Sequence, residues 1–190
     1  VSGDLLLVDA GCEYELYASD ITRTYPINGK FTPAQKNVYE MVLIAQKKAI
    51  EEARSGNQFN APHKAALGVI IDGLIDLKLC TGSRNEIEEK ESYKDFFMHR
   101  TSHWLGLDVH DAGDYVDSDG KSIKLIDGNV LTIEPGCYIK PSSKTPKEFW
   151  GIGVRIEDDI LINNNNPVVL TEGAPKEISD LELLVGNKND

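Results

Sequence analysis

Short apolar runs in both halves of the chain, with helically spaced apolar positions between them, give a first outline of the fold. LLLVDAG at 5–11 is an apolar run ended by a glycine, which predicts a buried strand. EYELYASDITRTYPI at 13–27 is rich in Tyr, Thr and Ile and predicts one or two further strands. NVLTIEPGCYI at 129–139 and GIGVRIEDDILI at 151–162 are also β-rich. Strands are therefore predicted in both halves.

The first helix is the one that the sequence marks most clearly. Thr32 suits the N-cap position, Pro33 suits the first helical position, and Gly56 lies just past the expected end. The apolar positions of this segment recur at helical spacing and form one face, made by Val38, Met41, Val42, Ala45 and Ala49. This pattern is typical of a helix that packs one side against a core.

Three further helices complete the outline. They are predicted at about 62–79, at 85–94 in a strongly charged segment, and around 177–184. Strands, then helices, then strands, without β–α–β alternation, indicate an α+β fold with a curved antiparallel sheet backed by helices. A chain of 190 residues suits one domain, so residues 1–190 are interpreted as a single unit.

Charge and composition exclude several classes of function. The chain carries 31 acidic and 20 basic residues, a net charge of −11, which opposes binding to nucleic acid or anionic membranes and attracts cations. It contains no apolar run of about 18 residues, so no membrane span is expected. Three scattered cysteines, Cys12, Cys80 and Cys137, fit a reducing compartment, and the cytoplasm is the expected location.

Four acidic residues interrupt apolar strand segments: Asp9, Asp20, Glu134 and Glu157. Each by itself is more simply explained by an exposed strand face. If the four converge, however, their mutual repulsion requires compensating positive charge. Two divalent cations would supply it, one imidazole would complete the ligand set, and oxygen-rich ligands favour Mn(II), with Co(II) or Zn(II) as alternatives. Such a two-metal site is suited to hydrolysis.

Three of the four histidines lie in FFMHRTSHWLGLDVHD at 96–111, namely His99, His103 and His110. Clustered imidazoles can serve acid–base chemistry or bind metal, or they can be ordinary core and surface residues. Other catalytic motifs are missing: the sequence has no phosphate-binding G-x-x-x-x-G-K-[ST] loop, no G-x-S-x-G elbow and no H-E-x-x-H zinc motif.

The segments at 8–32, 96–111, 131–139 and 151–162 resemble, in this order, the catalytic domain of the Xaa-Pro aminopeptidases (aminopeptidase P). They resemble the prolidases almost as closely, and both groups are pita-bread metallopeptidases. The resemblance implies that this is a C-terminal catalytic domain whose first half is truncated and whose N-terminal domain is absent. Loss of part of the sheet would expose apolar surface, and the activity of the chain in isolation is not assumed.

The resemblance also implies a dinuclear metal site, usually of manganese. Asp9 would bind one ion, and His103 and Glu134 the other. Asp20 and Glu157 would bridge both ions.

Further roles follow from the same resemblance. Glu134 would accept a proton from the attacking water, and His110 would steady the scissile carbonyl oxygen as charge develops on it. His99 would line the pocket on the proline side of the bond. Arg155 and Tyr138 would orient ligands from outside the metal shell.

Within this family the expected reaction is removal of the N-terminal residue from peptides with proline in the second position. A prolidase, which prefers dipeptides, is the alternative enzyme, and a non-catalytic pita-bread module that binds peptides is the alternative of another class. A homo-oligomer is expected for the whole protein. His63, at the start of a predicted helix, is interpreted as a surface imidazole.

Overall fold

The computed structural model describes residues 1–142, 144–164 and 166–186. Its elements follow the predicted order of strands, helices and strands. Nine strands are present in this part of the chain: β1 Leu5–Ala10, β2 Glu13–Tyr14, β3 Tyr17–Ala18, β4 Ile21–Pro26, β5 Val130–Ile133, β6 Gly136–Tyr138, β7 Gly153–Arg155, β8 Asp158–Leu161 and β9 Val168–Val169. The helices are α1 Pro33–Glu52, α2 Ala61–Asp76, α3 Arg84–Glu89 and α4 Ile178–Gly186, with 3₁₀ turns at Ser92–Asp95 and Lys147–Phe149.

Every strand pair is antiparallel, as predicted. β1 pairs with β4, β2 forms a hairpin with β3, β8 lies between β5 and β9, and β6 pairs with β7. Side-chain and backbone hydrogen bonds join these pieces. Thr24 on β4 exchanges two hydrogen bonds through its Oγ1 with the backbone of Arg155, and the N–H of Glu157 donates to the carbonyl of Thr22 at 3.0 Å. The strand ends that carry the predicted acids are thereby brought together.

Helix α1 covers the strands. Thr32 caps it through a reciprocal pair of hydrogen bonds with Gln35, and Pro33 occupies the first turn. Its predicted apolar face is buried, and it packs against α2 and against strands β5, β6 and β7. The helix ends at Glu52, earlier than predicted, and Gly56 adopts a positive φ of 90° in the turn that follows.

Two boundary predictions for the middle helices were wrong. The third helix was predicted to reach residue 94, but α3 ends at Glu89, and Glu91 then adopts a left-handed φ of 51° before a 3₁₀ turn. The second helix ends at Asp76 rather than at 79, and Lys78 also adopts a positive φ, of 58°. No helix in the described ranges is both long enough and apolar enough to cross a bilayer.

The prediction of a buried first strand was also wrong. Leu6 and Val8 of β1 are 51% and 38% exposed. Among the described residues β4 is the only strand that pairs with β1, so β1 lies at an edge and one of its faces is uncovered. An apolar run alone does not distinguish a central strand from an edge strand, because the difference depends on neighbours that are distant in sequence.

Candidate active site

The residues predicted from the sequence to form the site lie around one open cavity of about 430 Å³. Two further residues, Arg100 and Ser102, also line it. The complete lining is Asp9, Asp20, His99, Arg100, Ser102, His103, His110, Glu134, Arg155 and Glu157. Side chains from both halves of the chain therefore meet at a single place.

The acidic residues reach this cavity from the ends of strands. Asp9 lies on β1 opposite Thr22 of β4, and Asp20 directly precedes β4. Glu134 follows β5, and Glu157 lies between β7 and β8. Strand ends can place such side chains accurately because the ladder hydrogen bonds fix the backbone on both sides.

His103 is held against β5 by its backbone. Its N–H donates to Thr132 Oγ1 at 3.2 Å, and its carbonyl accepts the N–H of Thr132 at 3.0 Å. The Nδ1 atom of its ring lies 2.9 Å from the carbonyl oxygen of Trp104, so this nitrogen carries the hydrogen and donates. The lone pair of Nε2 is then directed into the cavity, as a metal-binding imidazole requires.

The cavity contains a group of potential metal ligands at close range. Ligand atoms of Asp20, His103 and Glu157 all lie within 4.8 Å of one another. His103 Nε2 is 3.5 Å from Asp20 Oδ2 and 3.7 Å from Glu134 Oε1. These spacings are longer than hydrogen bonds between well-aligned partners and are compatible with a cation between the ligands.

Asp9 is the fifth predicted ligand, and its nearest charged partner is Arg155. The guanidinium forms an ion pair with Asp9 through Nη2 and donates from Nε to Thr22 Oγ1 at 3.0 Å. Thr22 in turn donates to Glu157 Oε2 at 2.5 Å. Arg155 thus connects two of the acids, which agrees with the orienting role expected for it.

The pKa values show that negative charge is under-compensated here. Burial, followed by the charge of Glu134, raises the pKa of Glu157 to about 8. Burial also raises the pKa of Glu134 to about 7, even though His103 and Arg155 oppose the shift. The pKa of Asp20 is lowered instead, chiefly by the adjacent side chain of His103. Four carboxylates that converge on one cavity fit a pair of divalent cations, which would offset this charge.

His99 and His110 occupy different parts of the cavity. His99 donates from Nδ1 to the carbonyl of Arg100 at 2.7 Å and accepts at Nε2 from the hydroxyl of Tyr138 at 2.9 Å. Phe97 packs edge-on against His99, and burial lowers the pKa of this imidazole, so it is neutral. The ring of His110 lies 4.3 Å from that of His103, measured between centroids.

Strand alternation turns Asp158 to the face opposite that of its two acidic neighbours, Glu157 and Asp159. Glu157 faces the cavity. Asp158 is fully buried and forms ion pairs with Arg23 and Lys176. Asp159 accepts the backbone N–H of Asp20 at 3.1 Å.

Several residues near the site were missed by the sequence analysis. Thr22 and Asp159 each lie two positions after a predicted ligand, so strand alternation was the signal that could have found them. His63 was interpreted as a surface imidazole, and this was wrong. It is half-buried in the first turn of α2, and its Nδ1 lies 2.8 Å from Thr101 Oγ1.

Comparison with known proteins defines the class. Residues 1–164 match metallopeptidase family M24, and the chain belongs to this family. The pita-bread fold expected from the sequence is confirmed by solved relatives of the same architecture. The family assignment agrees with a cavity that gathers carboxylates and an imidazole for divalent metal.

The individual relatives are named as Xaa-Pro aminopeptidases. The chain is 45% identical to the Xaa-Pro aminopeptidase of Haemophilus influenzae over 96% of its own length and 42% of that protein's length. It is 39% identical to Xaa-Pro aminopeptidase 3 of Homo sapiens, covering 96% of this chain and 35% of that protein. The solved structure of aminopeptidase PepP from Pseudomonas aeruginosa superposes with a TM-score of 0.94 at 48% identity, over 97% of this chain and 42% of that one. The chain spans about two fifths of the length of these relatives.

Proposed function

We propose that this chain provides the metal-binding catalytic part of an Xaa-Pro aminopeptidase, which removes the N-terminal residue from peptides with proline in the second position. The observation that carries the proposal is the single cavity that brings Asp9, Asp20, His103, Glu134 and Glu157 together. The names of the relatives supply the proposed substrate class.

The five ligands would hold two divalent ions. Asp9 would bind one ion, His103 and Glu134 the other, and Asp20 and Glu157 both. Manganese is the proposed metal, with cobalt or zinc as alternatives, because the ligand set is dominated by carboxylate oxygens. When bound, the ions would supply Lewis-acid stabilisation of developing negative charge and a water of lowered pKa.

The chain's own residues would position the substrate and move protons. Glu134, which lines the cavity, would accept a proton from the attacking water. His110 would hydrogen-bond the scissile carbonyl oxygen as charge grows on it. His99, oriented by the 2.9 Å hydrogen bond that it accepts from Tyr138, would line the proline side of the pocket.

The alternatives receive less support. The relatives are named as aminopeptidases, which favours that activity over a prolidase. A non-catalytic binding module would not need the five candidate ligands that surround the cavity. The whole protein is proposed to be a cytoplasmic homo-oligomer, and the net charge of −11 supports the view that it binds neither nucleic acid nor anionic membranes.

A Glu157→Gln variant tests the proposal. In the protein that carries this chain, we expect about two manganese ions per chain and cleavage of a peptide with proline at position two. Glu157→Gln should lose both the metal and the activity, because the carboxylate proposed to serve both ions is replaced by a neutral amide. Glu148→Gln, at an exposed site outside the cavity, is the matched control and should retain both.

Metal content by elemental analysis and peptide cleavage by chromatography are the two measurements. A Glu157→Gln variant that keeps its metal and its turnover would contradict the assignment. Absence of cleavage by a metal-loaded wild-type protein would contradict the peptidase function while leaving the metal site intact.

A further inference from the structure

Asp20 and Glu157, whose carboxylates are proposed to bridge the ions, are held by contacts that cross between their two segments. The residue two positions after Asp20 contacts Glu157, and the residue two positions after Glu157 contacts Asp20. Thr22, two residues after Asp20, donates to Glu157 Oε2 at 2.5 Å. Asp159, two residues after Glu157, accepts the backbone N–H of Asp20 with Oδ2 at 3.1 Å. The N–H of Glu157 also donates to the carbonyl of Thr22 at 3.0 Å. The contacts therefore cross between the same two chain segments in both directions.

These four residues are buried, so the contacts cannot be replaced cheaply by solvent. Thr22 is fully buried, and Glu157 and Asp159 are each 2% exposed. Without Asp159 the N–H of Asp20 would lose its acceptor in the interior, and without the hydroxyl of Thr22 one oxygen of Glu157 would lose its donor. A buried polar group without a partner is unfavourable, and the backbone would move to relieve it.

Asp159 makes far fewer hydrogen bonds than its neighbour Asp158, although both carboxylates are buried. Asp158 uses both oxygens fully, with Arg23 and Thr171 on Oδ1 and with Gln46 and Lys176 on Oδ2. By contrast, Asp159 Oδ1 is buried and has no hydrogen-bond partner among the described residues. Among the described residues, its carboxylate makes one hydrogen bond, the one to Asp20. A buried carboxylate with one oxygen unpaired stabilises the fold little, so stability alone does not explain its presence.

The orientation of Asp159 is itself fixed. Its N–H donates to Thr171 Oγ1 at 3.1 Å, and its carbonyl accepts the N–H of Leu170 at 2.9 Å. The carboxylate therefore projects from an anchored backbone toward Asp20. A ligand geometry that is set before metal arrives gives tighter and more selective binding than one that must be assembled.

We propose that Thr22 and Asp159 are positioning residues that form a reciprocal brace, fixing Asp20 and Glu157 relative to each other. This inference rests on the proposed function, because it treats Asp20 and Glu157 as ligands of the same pair of ions. Asp159 acts as a hydrogen-bond acceptor and not through its charge. Thr22 acts as a hydrogen-bond donor.

Paired variants separate these roles from general destabilisation. Thr22→Val and Asp159→Ala remove the donor and the acceptor, whereas Thr22→Ser and Asp159→Asn retain them. Ser83→Ala is the control, because it removes the N-cap of α3 outside the cavity and weakens the fold without touching the brace. Manganese affinity is measured by calorimetry on the protein that carries this chain, and exchange of the Asp20 amide hydrogen is measured by NMR on the same protein without metal.

We expect Thr22→Val and Asp159→Ala each to lower manganese affinity about 10- to 100-fold. Thr22→Ser, Asp159→Asn and Ser83→Ala should retain most of the affinity. The Asp20 amide should exchange faster in Asp159→Ala than in Asp159→Asn. In the double variant Thr22→Val/Asp159→Ala, the fold-loss in manganese affinity should be smaller than the product of the two single losses. The first substitution already frees Asp20 and Glu157 to move relative to each other, so the second has less left to disrupt.

Several results would overturn the inference. One is unchanged affinity in Asp159→Ala, and another is an equal loss in Asp159→Asn, which would assign the effect to charge. A double variant whose loss equals the product of the single losses would show two independent residues and no brace. If the wild-type protein that carries this chain binds no manganese, the proposed function fails, and the Asp20 amide exchange still decides whether Asp159 anchors that backbone.

Discussion

The imidazole rings of His103 and His110 lie edge to face, with centroids 4.3 Å apart and an interplanar angle of 78°. His103 is fixed by its hydrogen bond to the carbonyl of Trp104 and directs Nε2 toward Asp20 and Glu134. His110 is exposed and lines the same cavity. The two histidines are therefore neighbours with separate tasks, one among the proposed ligands and one beside them.

Replacing His110 with Ala should separate metal binding from catalysis. We expect the variant to keep its metal and to lose about 10²- to 10³-fold in turnover, which is the usual cost of removing one contact to a developing oxyanion. Metal content by elemental analysis and kcat for a peptide with proline at position two provide the measurements. A fall in metal content instead would make His110 a ligand and contradict its assigned role.

The metal-free chain should become less stable as the pH rises from about 6.5 to 8.5. Burial raises the pKa of Glu134 to about 7 and that of Glu157 to about 8, so the folded chain holds protons that the unfolded chain releases at lower pH. Stability from these groups is therefore greatest in acid and decreases toward the raised pKa values, by about 2 kcal/mol over this range.

Urea unfolding in the presence of a chelator, repeated with saturating manganese, tests this dependence. Bound cations would stabilise the ionised carboxylates, so the loss should disappear in the metal-loaded chain. The pKa of Asp20 is lowered, so its contribution to the pH dependence of stability lies at a more acidic pH, outside this range. Stability that is flat or increases with pH in the chelator would contradict the assignment.

His63 should make the chain sensitive to acid in a lower range. Burial lowers its pKa to about 4, so the folded chain excludes a proton that the unfolded chain accepts below its ordinary value near 6.5. Stability from this group is complete above about pH 6.5 and decreases toward pH 4, by about 2 kcal/mol at pH 4.5.

A His63→Asn variant is the appropriate comparison, because asparagine retains a polar atom near Nδ1, which contacts Thr101. The difference in unfolding free energy between wild type and variant should change between pH 6.5 and 4.5, with the wild type losing more. Since Glu134 and Glu157 titrate in both proteins, their contributions cancel. An unchanged difference would show that His63 does not titrate across folding.

Gly11 should tolerate no side chain, because it lies against the segment that carries Asp20. A Cβ atom at this position would be 1.8 Å from the carbonyl oxygen of Ser19. Gly11→Ala must therefore displace either Asp9 or Asp20, and we expect manganese affinity to fall at least about tenfold. Gly173→Ala is the control, since a Cβ there meets no atom within 4 Å.

Calorimetry with manganese and a thermal melt distinguish local from global damage in this pair. Gly11→Ala should bind metal poorly and cost about 1–3 kcal/mol of stability, the usual range for overpacking. Gly173→Ala should match the wild type in both measurements. Wild-type affinity in Gly11→Ala would show that neither acid moves.

The four acidic ligand candidates stand out in the sequence because they interrupt apolar strands, whereas the choice of His103 among the histidines came from the family resemblance. Asp20 and Glu134 stand beside Ile21 and Ile133, where an ionised group needs a reason to be present. The residues that position them carry no such signal. Thr22 is an ordinary strand residue in sequence, and its importance appears only when β4 lies beside the segment that contains Glu157.

Boundaries and exposure were harder to predict for related reasons. Glu91 and Lys78 adopt left-handed backbone conformations that favour glycine or asparagine, and nothing local in the sequence indicates that they end helices. The exposure of Leu6 and Val8 depends on which strands lie beside β1. Burial of His63 likewise depends on Thr101, 38 positions away along the chain.

The alternation of Glu157, Asp158 and Asp159 has a consequence for how this segment can evolve. Because adjacent strand residues face opposite sides, a slip of one residue would turn Asp158 into the cavity and place Glu157 opposite Arg23 and Lys176. Arg23 and Lys176 would still have an acidic residue nearby. The longer side chain of Glu157, however, would lie on the face away from the cavity. A substitution at 151–162 that spares the site residues leaves this register intact, whereas a single-residue insertion or deletion there should abolish metal binding even in a chain that still folds.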